Sequence, residues 1–211
     1  MNFEGEFETH ITLALAGQEE FEALSQWSEQ RALKCTHIVL ERGVTASQPM
    51  LTLESEGTLE STLLQAKSLQ RDCENDGFRV CRIKLEVAPW NPGVPATRAE
   101  AHPQERYFEH HIKLLLPNGS DLLSLAQRVG PHGAHLSRNA RRTRDDGQHE
   151  RFVTQRCYCV GRQEAREAFE ALMRDIRALS IPVVETEEEY VVYDSNFALD
   201  AGWLEDATPS L

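Results

Sequence analysis

The segment Phe7-Glu8-Thr9-His10-Ile11-Thr12-Leu13 aligns with Phe108-Glu109-His110-His111-Ile112-Lys113-Leu114 about a hundred residues later. A second anchor keeps nearly the same offset: Pro49-Met50-Leu51-Thr52 against Arg151-Phe152-Val153-Thr154. A long amphipathic stretch follows each second anchor. An internal repeat of this kind restricts the chain to two copies of one supersecondary unit, each able to bury a core of its own at about 100 residues.

Within the first copy, Phe7–Ala16 reads as a strand and Gln18–Ala32 as a helix with Phe21, Leu24 and Trp27 on one stripe. Strands follow at Thr36–Arg42 and Pro49–Ser55. Thr58 is placed to cap a helix whose stripe is Leu59, Leu63, Ala66 and Cys73, and Gly77 suits its stop. Arg79–Val87 closes the unit as a strand. The second copy repeats the order: strand Tyr107–Leu116, a short helix capped by Ser120, strand Ala134–Arg138, strand Arg151–Val160, helix Gln163–Leu179 and strand Val183–Tyr193. The spacing therefore predicts an α+β chain of two tandem ferredoxin-like βαββαβ units with antiparallel sheets. The expected domains are residues 1–88, a Pro-rich linker 89–105, residues 106–193, and a tail 194–211 that packs back through Phe197, Leu199 and Trp203.

In such a unit both helices cover one sheet face and leave the other open. Side chains alternate along a strand. Phe7, Ile11 and Leu13 should face the helices, which puts Glu8, His10 and Thr12 on the open face. In the second copy Glu109, His111 and Lys113 take the same places. Arg82, Lys84 and Glu86 share a face of the closing strand, and Thr154, Arg156 and Tyr158 share another. The two open faces are expected to lie toward each other or side by side. Plain solvation also makes an open face polar, but solvation does not require the same Glu-x-His pair twice.

The formal net charge of −12 argues against broad binding to nucleic acid or to an anionic membrane. Nine of the 22 basic residues nevertheless fall between Arg128 and Arg166, against four acids. That island, with His135 and Arg138, reads as a cradle for a small anion. Its loop residues Arg141, Arg142 and Arg144 read as solvated. The acids from Glu185 to Glu189 read as charge that protects a sheet edge; the alternatives are pairing with the arginines or holding a divalent metal. No stretch has the length of a membrane span, the N-terminus lacks a leader pattern, and five cysteines without CxxC spacing read as reduced thiols. A cytoplasmic protein is expected. P-loop, dinucleotide, nucleophile-elbow and zinc-protease motifs are absent.

His10-Ile11-Thr12-Leu13 resembles the H-x-T/S motif of the 2H phosphoesterases, which carry one such motif in each half of a duplicated fold. The resemblance implies that His10 and His111 are an acid–base pair acting on a phosphodiester, with Thr12 on phosphate oxygens. The second motif, His111-Ile112-Lys113-Leu114, departs by placing lysine where the hydroxyl belongs; a lysine contacts phosphate as a point charge. Glu4-Gly5-Glu6-Phe7-Glu8 more weakly resembles the E-x-E-x-K strand of triphosphate-tunnel enzymes, with glutamate in the lysine position. The βαββαβ order speaks against a closed eight-stranded tunnel.

The expected function is binding of a small anionic ligand, a phosphate ester or nucleotide, on the polar sheet faces. His10 and His111 are the expected catalytic residues of a metal-independent hydrolysis. Glu8, Thr12, Glu109, Lys113, Thr154, Arg156, His135 and Arg138 are the expected ligand contacts. No cofactor and no metal is called for. The competing expectations are a non-catalytic ligand-binding or protein-interaction module, and a homo-oligomer that uses the open face as its interface.

Overall fold

The computed structural model describes residues 2–101, 105–140 and 148–203. Arg141, Arg142 and Arg144, the linker's Pro103 and the tail beyond residue 203 lie outside the described residues. The first half runs β1 (Glu4–Ala14), α1 (Gln18–Glu29), β2 (Lys34–Leu40), β3 (Ser47–Thr58), α2 (Leu59–Asn75) and β4 (Arg79–Val87). The second half runs β5 (Tyr107–Pro117), α3 (Leu122–Val129), β6 (Ala134–Asn139), β7 (Gln148–Tyr158), α4 (Arg162–Ala178) and β8 (Val183–Asp194).

Local chemistry sets the element ends. The Thr58 side chain accepts from the Ser61 backbone N–H at 3.2 Å and starts α2. The chain leaves α2 through Gly77 at φ +90°, a left-handed geometry in which glycine carries no steric penalty. The cap of α3 is Asp121 rather than Ser120: its carboxylate accepts from the Ser124 N–H at 3.0 Å, and Ser120 lies one residue further out.

All strands pair antiparallel. Their order is β1-β3-β2-β6-β7-β5-β8-β4, and β4 returns to β1, so the sheet is a closed eight-stranded barrel. Two seams join the halves. Ile38 and Leu40 of β2 meet Asn139 and Ser137 of β6, and Lys84 to Val87 of β4 meet Asp194 to Tyr190 of β8. The closure corrects the expectation that this element order excludes an eight-stranded tunnel. Closure does not require a new order of elements; the free edges of two four-stranded halves simply meet.

The helices lie outside the barrel and cover two apolar cores. Under α1 and α2 are Phe7, Ile11, Leu13, Leu51, Ile83 and Leu85, with Leu24, Trp27, Ala66 and Cys73. Under α3 and α4 are Ile112, Leu114, Leu136 and Val153, with Leu125, Phe169, Leu172 and Ile176. Because the apolar faces point out to the helices, the polar faces point into the lumen. They are not free to form an interface with another chain. No described helix is long and apolar enough to cross a membrane. The five cysteines are free thiols.

The described part of the tail, to residue 203, turns back onto the barrel. Leu199 and Trp203 are buried and the Trp203 indole N–H donates to the Leu136 carbonyl at 3.0 Å. Phe197, expected to pack with them, is 40% exposed. The tail also carries Asp200 into the lumen, where both Arg82 and Arg156 donate to it, at 2.9 and 2.8 Å. Arg82 further donates to Asp194 and to the Tyr107 hydroxyl. One guanidinium thus ties β4 to β8, β5 and the tail. Removing one partner of a buried ion pair costs about 3–5 kcal/mol, because the remaining charge is left unpaired. Arg82→Met is therefore expected to lower the melting midpoint by roughly 10 °C in a chain of this length, measured by calorimetry.

Candidate functional site

The barrel encloses a cavity of about 520 Å³. Its wall includes Glu8, His10, Thr12, Glu109, His111, Lys113, Thr154 and Arg156, so eight of the ten expected residues share one lumen. The other two do not line it. Arg138 has the opposite strand parity from Ser137 and Asn139 and is exposed on the outer face of β6. His135 has the inward parity but packs at the end of the barrel, with its Nδ1 3.2 Å from Arg42 Nη2 and its ring beside Trp203.

Two equivalent sets of side chains occupy the middle of the lumen. In the first, His10 Nδ1 lies 3.0 Å from Thr52 Oγ1, and its Nε2 lies 3.5 Å from Glu8 and 2.8 Å from Glu86. In the second, His111 Nδ1 lies 3.0 Å from Thr154 Oγ1, and its Nε2 lies 3.5 Å from Glu109 and 3.4 Å from Glu189. The backbone register explains the match. Each histidine sits opposite its threonine, and each Glu-x-His glutamate sits opposite the second carboxylate, Glu86 or Glu189. His110 has the other parity: it faces α4, with Nδ1 2.9 Å from Gln155 Oε1 and its ring against Phe169. Burial pushes its pKa down to about 4, so it is neutral and belongs to the packing.

Charges of opposite sign alternate through the lumen. Asp194 meets Arg82; Arg82 meets Asp200; Asp200 meets Arg156; Arg156 meets Glu109; Glu109 meets Lys84; Lys84 meets Glu86; Glu86 meets His10. Burial opposes the charge on Arg82, Asp200, Arg156, Glu109, Lys84 and Glu86, and in each the opposite partners outweigh it. The Glu86 carboxyl is held down to about 2, against its burial, by Lys84 and His10. Glu109 lies well below the usual carboxylate range, against its burial, because of Arg156 and Lys84. Burial also opposes charge on His111, but Glu109 and Glu189 raise it to about 10, so it is an imidazolium at neutral pH. Glu189 moves the other way: burial raises it, and so does the neighbouring Glu86.

Sequence reading missed Thr52, Glu86, Lys84, Arg82, Glu189 and Asp200 as site residues. The parity of Arg82, Lys84 and Glu86 was visible, but not what they would meet. The reading of Glu185–Glu189 as edge protection is corrected. β8 is paired on both sides, and Glu185, Glu187 and Glu189 line the cavity. Alternation of the three glutamates with the outward residues of β8 was the available signal.

No protein-family model and no curated protein matches this chain. Among solved structures, the small subunit of acetolactate synthase from Thermotoga maritima is 13% identical, with 89% of this chain and 94% of that one covered, at a TM-score of 0.31. An anthrone oxidase-like protein is 11% identical, with coverage of 92% and 95%, at 0.29. A chlorite dismutase from Candidatus Nitrospira defluvii is 11% identical, with 93% of each chain covered, at 0.29. At these scores the likeness bears on neither mechanism nor ligand.

The raised His111 and the lowered Glu86 fix a pH profile. His111 contributes stability that is whole below its unfolded value of 6.5 and declines as pH rises through about 10. Glu86 contributes stability that is whole above 4.5 and is lost as pH falls through about 2. Urea unfolding across pH is expected to show His111→Gln flattening the decline between pH 6.5 and 10 while leaving the acid limb in place. An unchanged alkaline limb in that variant would show that His111 is not held as an imidazolium.

Proposed function

We propose that the barrel lumen binds a small anionic ligand, of the phosphate ester or nucleotide class, between the His10 and His111 sets. The carrying observation is the convergence of two equivalent Thr–His–Glu–Glu sets at one cavity, whose wall takes in every member but Glu86. A cavity of this size, with apolar wall from Ile38, Leu40, Met50 and Phe152 and polar groups converging on it, is the usual form of a small-molecule site. Three cationic groups bring positive charge to the cavity wall, two of them beside carboxylates. Lys34 lines the cavity without an ion pair among the described residues, Lys113 is held by Glu185 at 3.3 Å and by Glu150 at 3.8 Å, and His111 is an imidazolium.

Binding is a better reading than hydrolysis. A general base needs a free lone pair aimed at the substrate. Both ring nitrogens of His10 and of His111 already face protein groups, and a protonated His111 can donate a proton but not accept one. The two halves are, in this reading, tandem ferredoxin-like units derived from one ancestor. Support comes from the repeated element order and from the matched registers His10 with Thr52 and His111 with Thr154. A homo-oligomer would be built through helices or loops, since the polar sheet faces are enclosed.

The test is isothermal titration with nucleoside monophosphates, pyrophosphate and cyclic phosphates in a chelator-containing buffer, followed by product analysis. One ligand class should bind without turnover, and Lys34→Ala and His111→Gln should each weaken it by about tenfold, the size of one charge-assisted contact. A panel without binding would leave the lumen as a structural polar core; rapid turnover would restore the two histidines as catalysts.

A further inference from the structure

Resting on the anion site above, we propose that the ligand is a nucleoside monophosphate, its base laid on an apolar wall of the lumen and its phosphate at Lys34. The lumen has two unlike walls. Six of the eight residues that alternate in charge come from β1, β4, β5 and β8, which are contiguous in the barrel. The other four strands, β3, β2, β6 and β7, bring Met50, Ile38, Leu40 and Phe152 to the cavity.

Backbone pairing makes these four side chains one surface. Thr36 pairs with Met50, Ile38 with Asn139, Leu40 with Ser137, and Ser137 with Phe152. Met50 and Phe152 hold matching positions at its two sides, each two residues before the threonine beside a histidine ring. The seam between β2 and β6 runs through the middle. Three strand intervals make the surface about 14 Å wide. Along the strands it is short, because the hydroxyl residues Thr36, Thr52 and Thr154 bound it.

A wide, short apolar surface fits a flat ring system better than an alkyl chain. Inorganic phosphate or a sugar phosphate would leave it against water. Trp203 lines the same cavity and adds a second aromatic side chain, tied to the Leu136 carbonyl of β6. Aromatic side chains hold the faces of nucleobases by stacking, and every base has such a face. The Ser137 hydroxyl stands within the wall and can both donate to and accept from a ring edge, so the wall selects for a base without choosing one.

Lys34 supplies the other end. It shares the inward face of β2 with Thr36, Ile38 and Leu40, and it has no ion pair among the described residues. Ile38 is four positions on, about 13 Å along the strand. A nucleoside monophosphate carries its phosphate away from its base on a ribose, and so can engage both ends at once.

The experiment is titration calorimetry on the full chain in chelator-containing buffer, with the four common ribonucleoside monophosphates, their nucleosides, ribose phosphate and octyl phosphate. The best-binding nucleotide should exceed ribose phosphate and octyl phosphate by at least about tenfold. Phe152→Leu, which keeps an apolar side chain at a half-buried position, should weaken that nucleotide by at least about fivefold and leave ribose phosphate unchanged. Circular dichroism checks that the variant is folded. Ribose phosphate or octyl phosphate binding as tightly as the nucleotide would overturn the base wall and leave the anion site standing. A nucleoside binding as tightly as its monophosphate would overturn the phosphate end at Lys34, and the anion site with it. No binding by any of these compounds would overturn both readings.

Discussion

Closing the sheet turns every polar strand face inward, and the structure then depends on how the enclosed charges are paired. A single unpaired charge in such an interior costs several kcal/mol. The chain answers with alternation from Asp194 through Arg82, Asp200, Arg156, Glu109 and Lys84 to Glu86 and His10. These residues come from both halves and from the tail. Neither half holds a complete set, so the charges that fill the lumen also bind the halves to each other.

The two halves match in their Thr–His–Glu–Glu sets and diverge at the neighbouring positions of β4 and β8, and that divergence shapes what the lumen can accept. The residues opposite His10 and Thr12 on β4 are Lys84 and Arg82, whereas those opposite His111 and Lys113 on β8 are Glu187 and Glu185. One half contributes cations at the register where the other contributes anions. The lumen is thus close to balanced overall but polarised from one side to the other. A ligand held between the histidine sets would feel Lys34 and Lys113 on its flanks and a carboxylate-rich patch around Glu189.

Much of this was legible in the strands themselves. The alternation in Phe7–Leu13 and in Phe108–Leu114 assigned the inner and outer faces correctly, because a strand has only two faces and the apolar one must meet a helix. His10 and His111 were readable for the same reason, as was the helix cap at Thr58, which depends only on residues within one turn. Arg138 and the Glu185–Glu189 run were misread. Arg138 was assigned from the charge of its neighbourhood rather than from its parity. The glutamates were assigned to an edge because nothing local in β8 reveals that β4 lies alongside it.

The sequence by itself determined the order of elements and which side chains of each strand are polar. These follow from local periodicity and from turn and cap chemistry, which act over a few residues. Tertiary structure decided that β2 joins β6 and β4 joins β8, that the polar faces enclose one lumen, and that Asp200 reaches Arg82 from over a hundred residues away. Strand pairing through the backbone carries no residue code at an edge, and ion pairs form wherever closure brings charge into confinement. Both are settled only when the whole sheet has closed.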